Sequence, residues 1–148
     1  MRWTQIALWL CFGGLALASD GRAQCQEDPG TGCEAAPSCS GSAAIGGTVV
    51  LTAPCVSGGG ALAGAIAGAC PRSPIDFDDP ALCTTPCPLG VAPSTAFALP
   101  PGPGSGTLTL PIPFAPGLAG LAICVQCVCI RPTGCFTLCQ AVRIDITR

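Results

Sequence analysis

Leu121-Ala-Ile-Cys-Val-Gln-Cys-Val-Cys-Ile130 and Leu138-Cys-Gln-Ala-Val-Arg-Ile-Asp-Ile-Thr147, joined through the turn-rich Arg131-Pro-Thr-Gly-Cys135, decide the fold class. In the second segment Val142, Ile144 and Ile146 alternate with Arg143, Asp145 and Thr147, the period-two pattern of a strand with one face buried. The two segments are therefore predicted to pair as an antiparallel hairpin. Burying Val142, Ile144 and Ile146 fixes the register of the partner, whose matching inward set is Leu121, Ile123 and Val125. That register carries Cys127 and Cys129 inward and Cys124 outward. Cys139 then falls outward with Cys124, so a bond between Cys129 and Cys139 requires a β-bulge or a local loss of pairing.

The same alternation recurs upstream. Gly47 to Ala53 is β-branched and bounded by Gly-Gly and Pro54, and Thr95 to Leu99 and Gly106 to Pro113 also alternate. Pro111 and Pro113 place the end of the last of these at a sheet edge, because proline offers no ladder donor. Ala61 to Ala69, if extended, puts Leu62, Gly64 and Ile66 on one face and alanine on the other; a short helix is the alternative there. Between these stretches, residues 70–90 hold five prolines and three cysteines and are expected to be a long crosslinked connection. About six short strands separated by turn signals predict an all-β, antiparallel, disulfide-rich β-sandwich over residues 46–148. Residues 24–45 contain acids, Pro, Gly and three Cys without apolar periodicity, and are expected to be a loop-rich segment preceding it.

Residues 1–23 have the pattern of a signal peptide: Arg2, an apolar run from Ile6 to Leu17, and small residues before a cut after Ala18 or after Ala23. The run is shorter than the roughly 20 apolar residues that span a bilayer, so no stable membrane insertion of the mature chain is expected. Cys11 follows Leu10 and Cys25 follows Gln24, which disfavours lipid attachment. The expected location is secreted or cell-surface, with the periplasm as a third option.

Removing Cys11 from the 13 cysteines leaves an even set: Cys25, Cys33, Cys39, Cys55, Cys70, Cys83, Cys87, Cys124, Cys127, Cys129, Cys135 and Cys139. All are disulfide candidates in an exported chain. With about ten thousand complete pairings, connectivity stays open at this point. The need for crosslinks is clearer. Ala and short aliphatic residues dominate the apolar content, and at about 25 cal/mol per Å² they bury little each. A few crosslinks at about 2–4 kcal/mol apiece would decide whether the chain folds.

The chain contains no Lys, His, Tyr or Asn, which removes the usual bases that activate a Ser or Cys nucleophile, and removes histidine metal sites. A formal net charge of -2 without a basic run argues against nucleic acid as a partner. Asp76, Asp78 and Asp79 form the one carboxylate cluster. Paired acids can hydrolyse glycosides, but Trp3 and Trp9 both lie in the signal segment, so only Phe77, Phe97, Phe114 and Phe136 remain to stack on a sugar. The plainer reading of the cluster is a solvated loop, with calcium as the sharper one. The run Cys124-x2-Cys127-x-Cys129-x5-Cys135-x3-Cys139 offers thiolates for zinc, but the spacing is unspecific and disulfides are preferred in an oxidising compartment. No cofactor, metal site or catalytic residue is expected.

Residues 107–132, TLTLPIPFAPGLAGLAICVQCVCIRP, followed by TLCQAVRIDIT over 137–147, resemble the C-terminal β-sandwich module of secreted bacterial proteins of unknown function. Leu110 to Pro113, Leu118 to Leu121, Gln126 and Ile144 to Thr147 carry the likeness, which extends over Gly46 to Arg148. Cys124, Cys127 and Cys129 stand where such modules have apolar or aromatic residues. The resemblance implies the sandwich topology and no activity. The expected role is a secreted, non-catalytic structural or interaction module of unknown biochemical role; its partner is unknown, with a protein or cell-surface component as the candidate class. The alternatives are a small disulfide-rich effector of inhibitor or toxin type and a carboxylate-based hydrolase.

Overall fold

The alternating stretches fold as strands. The computed structural model describes residues 25–55, 59–101 and 106–148, so the expected signal peptide and both cleavage positions lie outside the described residues. The strands are β1 (Cys25–Glu27), β2 (Ser38–Gly41), β3 (Thr48–Thr52), β4 (Ala61–Gly68), β5 (Phe97–Leu99), β6 (Thr107–Pro111), β7 (Ala122–Ile130), β8 (Phe136–Leu138) and β9 (Val142–Asp145). They form two antiparallel sheets. The larger is ordered β1-β9-β7-β4-β5 with β8 also on β7, and the smaller is β2-β3-β6. As its prolines require, β6 is an edge strand. Among the described residues no helix is long and apolar enough to cross a membrane.

The sheets pack face to face. Val49 and Leu51 of β3 and Leu108 and Leu110 of β6 meet Ala65 and Ala67 of β4, Val125 and Cys127 of β7, and Val142 and Ile144 of β9. Each fully buried Val, Leu or Ile contributes roughly 1.5–3 kcal/mol, whereas the β4 alanines contribute less. Two disulfides staple the sheets together: Cys25–Cys39 joins β1 to β2, and Cys55–Cys129 joins the end of the β3 segment to β7.

Four local features depart from the sequence reading. The segment 24–45, expected to be loops, also supplies β1 and β2; both are short, largely exposed and without apolar alternation, and pairing plus Cys25–Cys39 holds them. Leu62 and Ile66 do not share a face, because the β4–β7 register shifts between Leu62 and Gly64. Leu62 packs into the core between the sheets and Ile66 against the opposite face. Gly64 permits this bulge: its φ is +151°, and a Cβ there would lie 2.7 Å from the Leu99 carbonyl oxygen. Leu121, expected inward, lies just before β7 and is 52% exposed.

The fourth departure concerns the deciding hairpin. β7 pairs with β9 at Val125↔Val142 and with β8 at Val128↔Leu138. Between these points Gln126 and Cys127 stand opposite Cys139, Gln140 and Ala141, so the returning chain holds one extra residue. The bulge turns Cys139 inward, into the core that contains Cys127 and Cys129. The inward placement of Cys127 and Cys129 follows the alternation, while that of Cys139 follows the bulge.

Candidate functional site

The outward face of the larger sheet is covered by the proline-rich connection, which crosses it as a strap. Ile75 and Leu89 exchange backbone hydrogen bonds of 2.9 and 2.8 Å, and the Cys87 amide donates to the Phe77 carbonyl at 2.9 Å, so the strap doubles back on itself as a short ribbon. Its tip joins β8: the Cys83 amide donates to the Phe136 carbonyl and the Phe136 amide to the Ala81 carbonyl, both at 2.8 Å. Three disulfides fasten it. Cys70–Cys124 holds its start to β7, Cys33–Cys87 holds its return to the loop after β1, and Cys83–Cys135 holds its tip to the residue before β8. Crosslinks suit this place because the strap carries few large apolar residues and its prolines cannot extend a ladder.

Gln126 ties the strap to the sheet from below. It is fully buried, accepts from the Gly90 amide through Oε1 at 3.0 Å, and donates through Nε2 to the Pro88 carbonyl at 3.1 Å and the Cys139 carbonyl at 3.0 Å. By engaging the main chain on both sides of Leu89, the side-chain amide takes the place of a neighbouring strand's peptide group. Gly90 allows the close approach, since a Cβ there would sit 2.3 Å from the Ala141 Cβ.

Between strap and sheet lies a pocket of about 370 Å³. Ile66, Val128 and Leu138 form its floor, and Phe77, Leu82, Leu89 and Phe136 its walls, with Ala81 and Asp79 completing the lining. Alternation along the extended run from Ile75 explains the selection: Phe77 and Asp79 turn inward while Asp76 and Asp78 are exposed. The carboxylate cluster of the sequence is thereby divided, and the pocket receives one acid. Asp79 Oδ1 accepts from the Ala81 amide at 2.8 Å and its carbonyl accepts from the Leu82 amide at 2.9 Å, so Asp79-Pro80-Ala81-Leu82 is a side-chain-capped turn. Of the phenylalanines, Phe77 and Phe136 line the pocket, whereas Phe97 and Phe114 are 50% and 86% exposed elsewhere.

The twelve candidate cysteines divide in the same spatial way. Ten form the five disulfides already described, two between the sheets and three on the strap. Cys127 and Cys139 remain as buried thiols. Cys139 Sγ lies 3.5 Å from Cys129 Sγ, and the sulfurs of Cys55, Cys129 and Cys139 all lie within 4.8 Å of one another. Cys55 and Cys129 are bonded to each other, so a metal ion at that point would have to displace the inter-sheet staple. Sequence reasoning found the cysteines but missed the pocket, because Ile66 reaches it through one bulge and Leu138 lies beside another.

Compared with known protein families, characterised proteins and solved structures, the chain has no significant match in any of the three.

Proposed function

We propose that this chain is an exported, non-catalytic interaction module whose pocket receives an apolar group of a partner at the cell surface or outside the cell. The observation that carries the reading is the pocket: an apolar lining with one carboxylate, held open by a strap that one crosslink fixes to β7 and two fix to the loops beside the sheet. Such a lining suits holding a ligand by burial, and with no His or Lys in the chain Asp79 is the one acid–base group lining the pocket. A cysteine usage suited to an oxidising compartment supports the exported part of the reading.

The test is a methyl-detected NMR titration of the oxidised protein with small alkyl and aryl amines and alcohols, paired with a Val128→Trp variant that fills the pocket. The expected result is saturable shifts at Ile66, Val128 and Leu138 that vanish in the variant while its fold is retained. Shifts centred on Phe97 or Phe114, or binding unchanged by Val128→Trp, would place the interaction elsewhere. Hydrolysis of an aryl glycoside offered to the protein, lost in Asp79→Asn, would move the assignment to a carboxylate hydrolase.

A further inference from the structure

The two unbonded cysteines lie at the same point of the fold. The bulge places Cys139 beside Cys127, with the Cys139 amide donating to the Cys127 carbonyl at 2.9 Å, and both residues are 0% exposed. Both side chains enter the same buried core, and neither is bonded to another cysteine. On the other side of Cys139 is the Cys55–Cys129 staple, its nearer sulfur 3.5 Å away. At this distance Cys139 can exchange with the disulfide once it loses its proton, which alkaline pH or loss of its Cys127 neighbour favours.

We propose that Cys127 and Cys139 close a sixth disulfide inside the sandwich, and that this closure protects the inter-sheet staple from exchange with Cys139. Closure removes two hydrogens and needs a disulfide oxidant, supplied by a protein or small-molecule disulfide of the oxidising compartment before β8 docks. The Cys127 thiolate attacks one sulfur of that oxidant and expels the other as a thiol. Cys139 then attacks Cys127 Sγ in the mixed disulfide, forming Cys127–Cys139 and releasing the second oxidant thiol. Should Cys139 remain a thiol, its thiolate can attack Cys129 Sγ. The Cys129–Cys139 bond then forms, the Cys55–Cys129 bond breaks, and Cys55 leaves as a thiolate that takes up the proton lost by Cys139. That step needs no oxidant and removes one of the two crosslinks between the sheets.

In the folded protein with the pair still reduced, the two thiols are unlike. Donation from Cys139 holds the Cys127 thiol below its ordinary range against the opposing effect of burial, making it the readier thiolate. The same hydrogen bond, reinforced by burial, pushes the Cys139 thiol well above its ordinary range. Cys139, and not Cys127, belongs to the trio of sulfurs that all lie within 4.8 Å of one another, which sets Cys139 against the staple.

The experiment uses the full chain exported through its own leader, denatured in the presence of a thiol alkylator without reductant, with intact mass and fragment mapping as readouts. The expected result is no alkyl label and a fragment joining Cys127 to Cys139. Two labels on the wild-type protein, a fragment joining Cys129 to Cys139, or a bound metal lost with the appearance of labelled thiols would each overturn the sixth disulfide. The protecting role is read from Cys127→Ala and Cys139→Ala, each held at mildly alkaline pH before alkylation. The first should distribute its single label between Cys139 and Cys55, while the second should carry it on Cys127 alone. A label confined to Cys139 in the first variant, or an equal spread in both, would overturn it.

Discussion

The two faces of the larger sheet are built by different means. Its inner face meets the smaller sheet through alternating Val, Leu and Ile, and two disulfides join the layers. Its outer face offers Ile66, Val128 and Leu138 to a strap that could not cover them by apolar burial alone, and three disulfides and a buried glutamine do so instead. On the inner face apolar contact produces a filled core. On the outer face, fixed points placed around a sparsely apolar layer keep the covering segment at a distance, and the pocket is what remains between them. Crosslinks specify position without demanding dense packing, so they can hold a cavity that hydrophobic collapse would close.

Removing a strap crosslink tests this division most strongly. Cys70→Ala together with Cys124→Ala opens a sequence separation of 54 residues, and loop-closure entropy sets the loss at about 4 kcal/mol. The expected signature is regional: amide exchange at Cys87 and Leu89 accelerates far more than at Val49 and Leu51, and ligand shifts at Ile66 and Val128 weaken. Uniform acceleration over both layers would show that strap and sandwich unfold as one unit. On the inner face the largest effect expected of a single truncation is at Leu108, which is 0% exposed. Leu108→Ala should cost about 3 kcal/mol in denaturant unfolding. That loss should be global, raising exchange at Val49, Val125 and Ile144 together.

How far the sequence disclosed these two faces follows from how each is encoded. Val142, Ile144 and Ile146 announce the inner face because a strand buried on one side must alternate, and the same rule brings Val125, Cys127 and Cys129 inward. The outer face has no periodic code. Ile66 reaches it only because the strand shifts by one residue at Gly64, and Cys139 leaves it only because three residues stand opposite two near Gln126. A bulge reverses the facing of every residue beyond it, and its position depends on tertiary pairing that one chain's pattern does not display. Five disulfides link residues 14 to 74 apart, and such pairings depend on the folded path of the strap and not on cysteine spacing. In the sequence Gln126 enters only among the residues that carry the resemblance, and its role emerges only once Pro88 and Gly90 lie above it.

Gln126 therefore gives the finest discrimination between the faces. In Gln126→Leu the side chain keeps a similar volume and loses every hydrogen bond. The Gly90 amide loses its acceptor and the Cys139 carbonyl a donor, whereas the Pro88 carbonyl keeps the Gly32 amide at 2.7 Å. Leaving two buried backbone groups without these partners should cost about 2 kcal/mol, less than the loss of Leu108 because the strap stays crosslinked. Hydrogen exchange separates the possibilities. If Gln126 acts as a substitute strand edge, the Gly90 amide loses its protection while Val49 and Leu51 keep theirs, and apolar fragments bind the pocket more weakly because Leu89 is no longer held at its wall. Should Gly90 stay protected in Gln126→Leu, the disulfides alone hold the strap, and the outer face would need no hydrogen-bonded tie to the sheet beneath it.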